Sequence, residues 1–114
     1  MGGMKAYCPE RGDLVWIDFT PTRGHEQKGR RPALVLSPRE YNIIVGNMVC
    51  CPASTRVKAY RFEVPVTVSG KQGVIQADQI RTFDWRSRKI SFIEKIDPRS
   101  LEHVQELVKV LITG

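Results

Sequence analysis

The chain has 114 residues, with 18 lysines and arginines against 12 aspartates and glutamates, a net charge of +6 and 41% hydrophobic residues. That length predicts one domain spanning residues 1–114, large enough to bury a core without disulfide staples and too short to add a separate regulatory domain. Ordinary hydrophobic content excludes a wholly disordered chain, and no apolar run approaches the ~20 residues needed to cross a bilayer.

The N-terminal stretch MGGMKAYCPERG lacks the apolar segment of a secretory signal, with Met1 and Met4 as alternative starts. Strand-like segments follow. Asp13–Phe19 is rich in β-branched and aromatic residues between Gly12 and Pro21. Pro32–Ser37 and Asn47–Cys51 are short apolar runs, and Pro38–Val45 between them suits a short helical turn. Phe62–Val66 reads as a strand near a sheet edge, because Pro65 cannot donate to a ladder. Gly73–Ala77 and Ile90–Lys95 complete the set, and short strands between turn signals predict a small barrel. At the C-terminus Asp97 suits an N-cap and Pro98 the first helical position. Leu101, Val104, Leu107, Val108 and Leu111 then recur at helical spacing, which predicts an amphipathic helix of about four turns packed on the barrel.

Three cysteines are an odd number, and adjacent Cys50 and Cys51 would face opposite sides of a strand, so reduced thiols in a cytoplasmic protein are expected. His25 and His103 lie far apart, and Cys8, Cys50 and Cys51 form no metal-ligand spacing with them. Phosphate-binding glycine loops and the nucleophile elbow are absent from the sequence. No metal or cofactor is expected.

Positive charge gathers in two places within the folded body. Arg23, Lys28, Arg30 and Arg31 stand against Glu26, while Arg81, Arg86, Arg88 and Lys89 stand against Asp84. This pattern favours a polyanionic partner, nucleic acid first, over a merely solubilising surface. The stretch Gly24-His25-Glu26-Gln27-Lys28-Gly29-Arg30-Arg31-Pro32 is a basic loop framed by glycines, with a guanidinium beside a proline at a strand start. Such a fork can clamp a phosphodiester, although a solvated hairpin loop is the commoner fate of a segment like this. Ser54, Thr55 and Arg56 end the third apolar strand, where hydroxyls bind phosphate or cap a turn. Asp78-Gln79-Ile80-Arg81 offers a carboxylate that either accepts a proton or pairs with an arginine.

Together these residues resemble the MazF/PemK family of toxin endoribonucleases, the toxin half of type II toxin–antitoxin systems. The likeness runs in order through Gly12-Asp13, Trp16, Gly24-His25-Glu26-Gln27, Arg31-Pro32-Ala33-Leu34-Val35-Leu36-Ser37, Pro52 with its hydroxyl pair, and Asp78-Gln79-Ile80-Arg81-Thr82. Asp84-Trp85-Arg86 places it nearer the MazF side of the family. The resemblance implies a mainly β (α+β) fold, a small SH3-like barrel with a C-terminal helix, assembled as a homodimer. It also implies metal-independent cleavage of single-stranded RNA by attack of the 2′-hydroxyl on the adjacent phosphate, with a MazE-like antitoxin as partner. By resemblance the catalytic pair is Arg31 and Ser54, the serine standing where the family has threonine; Thr55, His25 and Asp78 are alternative catalytic candidates. The companion arginine of the PemK-type scheme would fall on Gln76, so that scheme is incomplete here. Glu26, Gln27, Lys28, Arg30, Arg56, Gln79, Arg81 and Arg86 are expected to bind RNA. The competing readings are a non-catalytic, CcdB-like toxin that binds DNA gyrase, and an RNA- or DNA-binding barrel without cleavage.

Overall fold

A computed structural model describes residues 6–19 and 29–114. Among these described residues seven strands, β1 (Asp13–Asp18), β2 (Arg30–Val35), β3 (Asn47–Ser54), β4 (Glu63–Val68), β5 (Lys71–Gln76), β6 (Arg81–Asp84) and β7 (Ser91–Lys95), are accompanied by helices α1 (Arg39–Val45) and α2 (Pro98–Thr113). The strands run antiparallel in the order β4-β5-β3-β2-β1-β7, and β6 also pairs with β3. β3 is the hinge of this sheet. One of its edges meets β2 through Cys50–Pro52; the other meets β6 through Asn47–Cys50 and then β5 through Ala53 and Ser54.

Strand alternation sends neighbouring side chains to opposite faces, and both faces are buried here. Leu14, Leu34, Cys51, Ala53, Val64 and Ile75 pack with Val104 and Leu107 of α2 in one core. Val15, Ile17, Ala33, Val35, Met48 and Cys50 pack with Phe19 and Trp85 in the other. The near-continuous apolar runs of the central strands follow from this double burial. Cys50 and Cys51 accordingly lie in different cores, and all three thiols are free.

The strand over Arg81–Asp84 was not expected from sequence; its residues are mostly exposed and polar, and pairing with β3 alone holds them in extended form. β4 sits at the end of the strand order, as Pro65 requires. α1 forms where a short helical turn was expected and ends at Gly46, whose φ of 84° is the left-handed conformation a helix stop favours. α2 starts as predicted, the Asp97 carboxylate accepting from the Arg99 N–H with Pro98 in the first turn. Its apolar stripe is shorter than expected, however. Val104 and Leu107 are buried, whereas Leu111 is 45% exposed beside exposed Val110 and Ile112. No helix among the described residues is long and apolar enough to cross a membrane.

A buried carboxylate ties the N-terminal segment to this body. Asp13 accepts from the Tyr7 hydroxyl and the Glu10 N–H, and pairs with Lys95 of β7 at 2.6 Å.

Burial pushes the Cys50 and Cys51 thiols up to about 12, the neighbouring thiol adding to the first and the Asp78 charge to the second. Neither is a thiolate at neutral pH, and neither is accessible. In native protein at pH 8 both should resist an aromatic disulfide reagent, and both should react once the chain is unfolded. Rapid labelling of either in the native state would contradict the two-core packing.

Candidate functional site

β2 and β3 part company at one end, and that separation makes the site. Their ladder stops at Ala33 opposite Pro52. Beyond it β3 turns its pairing to β5, through Ala53 opposite Ile75 and Ser54 opposite Val74, while β2 continues along β1 with Pro32 opposite Trp16 and Arg31 opposite Ile17. A cleft of about 510 Å³ opens between the diverging strands, with Arg31 and Pro32 on one wall and Ser54, Thr55 and Arg56 on the other. Trp16, Arg30, Ala53, Lys58, Lys71 and Gln76 complete it. Among the described residues its lining includes five cations and no carboxylate. An apolar recess of about 280 Å³ continues from it, sharing Trp16, Pro32 and Ala53 and adding Val66 and Val68.

Close packing fixes the Ser54 wall. A Cβ on Gly73 would lie 2.5 Å from the Ser54 carbonyl oxygen, so only glycine lets β5 approach the end of β3 this closely. The Ser54 Oγ accepts from the Arg56 N–H at 3.0 Å, a turn that orients the hydroxyl at the strand end. Arg31 is half-buried, held at the β2 start by the ladder with β1. Guanidinium stays charged under any ordinary condition and presents a planar fork of donors, which suits a phosphodiester.

The other candidates are placed as follows. Arg30 borders the cleft, but its guanidinium donates to the Lys89 carbonyl and the Ser91 hydroxyl, each at 2.7 Å. Asp78 and Gln79 lie in the turn between β5 and β6, outside the cleft lining. The Asp78 carboxylate takes its hydrogen bonds from the Tyr60 hydroxyl, at 2.8 and 2.9 Å. That bond to a carboxylate pushes the Tyr60 hydroxyl up to about 12. Arg81 stands exposed on β6 opposite Cys50. Arg86 stacks on the Trp85 ring at 4.7 Å and donates to the Ile43 carbonyl at the end of α1. It lines a cavity of about 540 Å³ that shares no lining residue with the cleft. His25, Glu26, Gln27 and Lys28 lie outside the described residues. His103 is exposed on α2. Among the described residues no group of three or more histidine, cysteine, aspartate or glutamate side chains could hold a metal ion.

Lys58 and Lys71 are site residues that sequence reasoning missed. Each belongs to a different segment from the basic loop: Lys58 to the stretch between β3 and β4, and Lys71 to the β4–β5 hairpin, which the β3–β5 pairing brings to the cleft. The alternation Arg56-Val57-Lys58 was the one available signal for the first of them.

A bent antiparallel sheet with one long helix and a cationic cleft defines a small class of proteins, and comparison assigns the chain within it. Residues 10–112 match the family model described as PemK-like, MazF-like toxin of type II toxin–antitoxin system, and the chain belongs to that family. It is 42% identical over 106 residues to the endoribonuclease toxin MazF of Escherichia coli K12, covering 93% of this chain and 96% of that protein. A crystal structure of MazF from Deinococcus radiodurans superposes with a TM-score of 0.86 at 44% identity, covering 96% of this chain and all of that one. A chain of a MazE–MazF crystal structure from the same organism superposes at 0.85 with 45% identity, covering 94% and 97%. The barrel and C-terminal helix implied by the sequence resemblance are thereby shown.

The contact at Gly73 gives a direct test of the cleft architecture. Gly73→Ala must push β5 off the Ser54 carbonyl, and overpacking of this kind costs about 1–3 kcal/mol. A fall in melting temperature of roughly 5 °C or more is expected. An unchanged melt would show that the strand approach is looser than described.

Proposed function

We propose that this chain is a ribonuclease toxin that cuts single-stranded RNA in the cleft between β2 and β3, with Arg31 and Ser54 as its catalytic pair. The observation that carries the reading is their convergence: two residues remote in sequence face one cleft where the strands diverge, among cations and, in its described lining, with no carboxylate. The nuclease relatives supply the reaction class, since the E. coli protein bears the name endoribonuclease toxin.

The chemistry follows from the groups present. The 2′-hydroxyl of one nucleotide attacks the adjacent phosphorus, the 5′-oxygen of the next nucleotide leaves, and the ends are a 2′,3′-cyclic phosphate and a 5′-hydroxyl. Negative charge grows on the non-bridging oxygens in the transition state, where the Arg31 fork stabilises it more strongly than in the ground state. The Ser54 hydroxyl, oriented by the Arg56 N–H, donates to the same phosphate. Arg56, Lys58 and Lys71 hold the flanking phosphates, and the apolar recess beside Trp16 receives an unstacked base. His25, outside the described residues, is the candidate proton carrier; Asp78, the other candidate, is hydrogen-bonded to Tyr60 outside the cleft lining. Duplex RNA is a poor substrate because a paired backbone resists in-line attack and splayed bases are the ones a cleft can read.

A second copy of the chain and an acidic, partly apolar antitoxin tail complete the proposed assembly in the cytoplasm. The MazE–MazF structure supports the antitoxin, and the cationic cleft suits an acidic segment that competes with RNA.

Incubation with a long single-stranded transcript in EDTA should yield fragments with 5′-hydroxyl ends. Activity lost on chelation, or 5′-phosphate ends, would overturn the 2′-hydroxyl mechanism. Binding without cleavage would favour the non-catalytic barrel, and inhibition of gyrase the CcdB-like reading.

Arg31→Ala should cost about two to three orders of magnitude in rate, as for a lost oxyanion donor, and Arg31→Lys should recover part of it. Ser54→Ala should fall steeply, with Ser54→Thr active. Should Thr55 supply the hydroxyl instead, Ser54→Ala stays near wild type and Thr55→Ala collapses. Thermal melts beside the rates separate these outcomes from a stability loss of about 1 kcal/mol at a strand-end cap.

A further inference from the structure

The segment between β3 and β4, residues 55–62, carries Thr55, Arg56 and Lys58 into the cleft, yet pairs with no strand. A loop without ladder bonds holds charged side chains in place only where its backbone is fastened elsewhere. Glu63, the first residue of β4, fastens it. The Glu63 side chain is buried, with 9% exposure for the residue. Its Oε1 accepts from the N–H groups of Lys58 at 3.0 Å and Ala59 at 2.8 Å, and its Oε2 accepts from Lys58 at 3.0 Å. Ala59 has a φ of 60°, a left-handed conformation that a residue with a Cβ rarely keeps without such an anchor. The turn closes with the Glu63 N–H donating to the Tyr60 carbonyl at 3.1 Å, while the Tyr60 hydroxyl reaches Asp78.

The anchor reaches the reacting groups by two short paths. Lys58 is itself a lining residue, and Arg56 two positions earlier lines the cleft and donates its N–H to the Ser54 Oγ. Glu63 also pairs in register with Gln76, another lining residue, so the carboxylate stands on the strand that backs the site. A carboxylate bound by two backbone N–H groups is a stronger and more directional tie than a neutral side chain offers.

We propose that Glu63 is a positioning residue of the RNA cleft: by binding the Lys58 and Ala59 N–H groups it fixes the loop that presents Arg56 and Lys58 to the phosphates flanking the cleaved bond. The inference rests on the reading of the cleft as the RNA site and adds to it the residue that holds one wall in shape. Glu63 touches no substrate; it acts through the loop.

The test uses the full chain and the shortest single-stranded oligoribonucleotide cut at a site mapped on a long transcript, with melts for every variant. Glu63→Gln keeps the shape and loses the charge; Glu63→Asp keeps the charge and shortens the reach. In each folded variant KM should rise, by about tenfold for Glu63→Gln if the wall shifts by part of an ångström, with kcat changed less. The slope of log KM against log salt should become shallower by about 0.7 to 1.4, as one or two phosphate contacts are lost. A merely structural role would lower the melting temperature and the active fraction, and leave KM and the salt slope where they were. In an Arg56→Ala/Lys58→Ala background Glu63→Gln should raise KM little further, because its effect travels through those cations. Unchanged KM and salt slope in the folded Glu63 variants, or full additivity in that background, would overturn the proposal. Arg31→Ala in the same assay tests the underlying site separately. Its retention of normal cleavage would refute the cleft assignment, whereas its collapse beside wild-type RNA affinity in the Glu63 variants refutes the positioning role alone.

Discussion

Everything in this molecule hangs on one strand having to satisfy two sheets. β3 gives one edge to β2 and divides the other between β6 and β5, so each of its residues is paired on at least one side. Its side chains are divided in the same way, Cys50 into one core and Cys51 into the other. With Ala53 and Ser54 drawn into pairing with β5, the end of β3 does not follow β2. The gap left there becomes the cleft, and its depth depends on Gly73 permitting β5 to lie against Ser54. The site is therefore a consequence of sheet geometry before it is a matter of catalytic side chains.

Charge is distributed with the same economy. The carboxylates are largely committed to the scaffold: Asp13 to Tyr7, the Glu10 N–H and Lys95, Asp84 to the Arg86 N–H, Asp97 to the start of α2, Glu63 to its loop and Asp78 to Tyr60. Each satisfies backbone or hydroxyl donors that would otherwise be costly to bury or would leave a turn loose. Among the described residues, every charged side chain that lines the cleft is positive. A net charge of +6 says little alone, but this segregation concentrates potential where the backbone of a polyanion would run.

Arginines that look alike in sequence have been given different work. Arg30 and Arg31 are adjacent on β2 and both line the cleft; the guanidinium of the first donates to Lys89 and Ser91, and the second is half-buried. Arg86 closes the end of α1 and covers an indole, filling space that Gly46 leaves open. A basic cluster counted along the chain thus merges structural, bordering and site residues, and only their hydrogen bonds sort them.

How much of this was written in the sequence differs by level. Periodicity and punctuation located six of the seven strands, the short helix and the start of α2, because each depends on local conformation and on alternation against a core: Pro65 at an edge, Asp97 and Pro98 at a helix start, and Cys50 and Cys51 on opposite faces. Ordered motifs from Gly12 to Thr82 marked the family and brought forward Arg31 and Ser54 as partners. The tertiary structure alone decided what no local pattern encodes. β6 is a strand only because β3 offers it an edge, and Leu111 stays exposed although it continues the apolar stripe of α2. Lys71 joins the cleft because β5 pairs with β3, Lys58 joins it from the segment that follows β3, and Arg86 is drawn away by an indole and a helix end. Sequence specifies which residues can bury or bind; which of them meet is fixed by long-range pairing, whose register is set by all the strands at once.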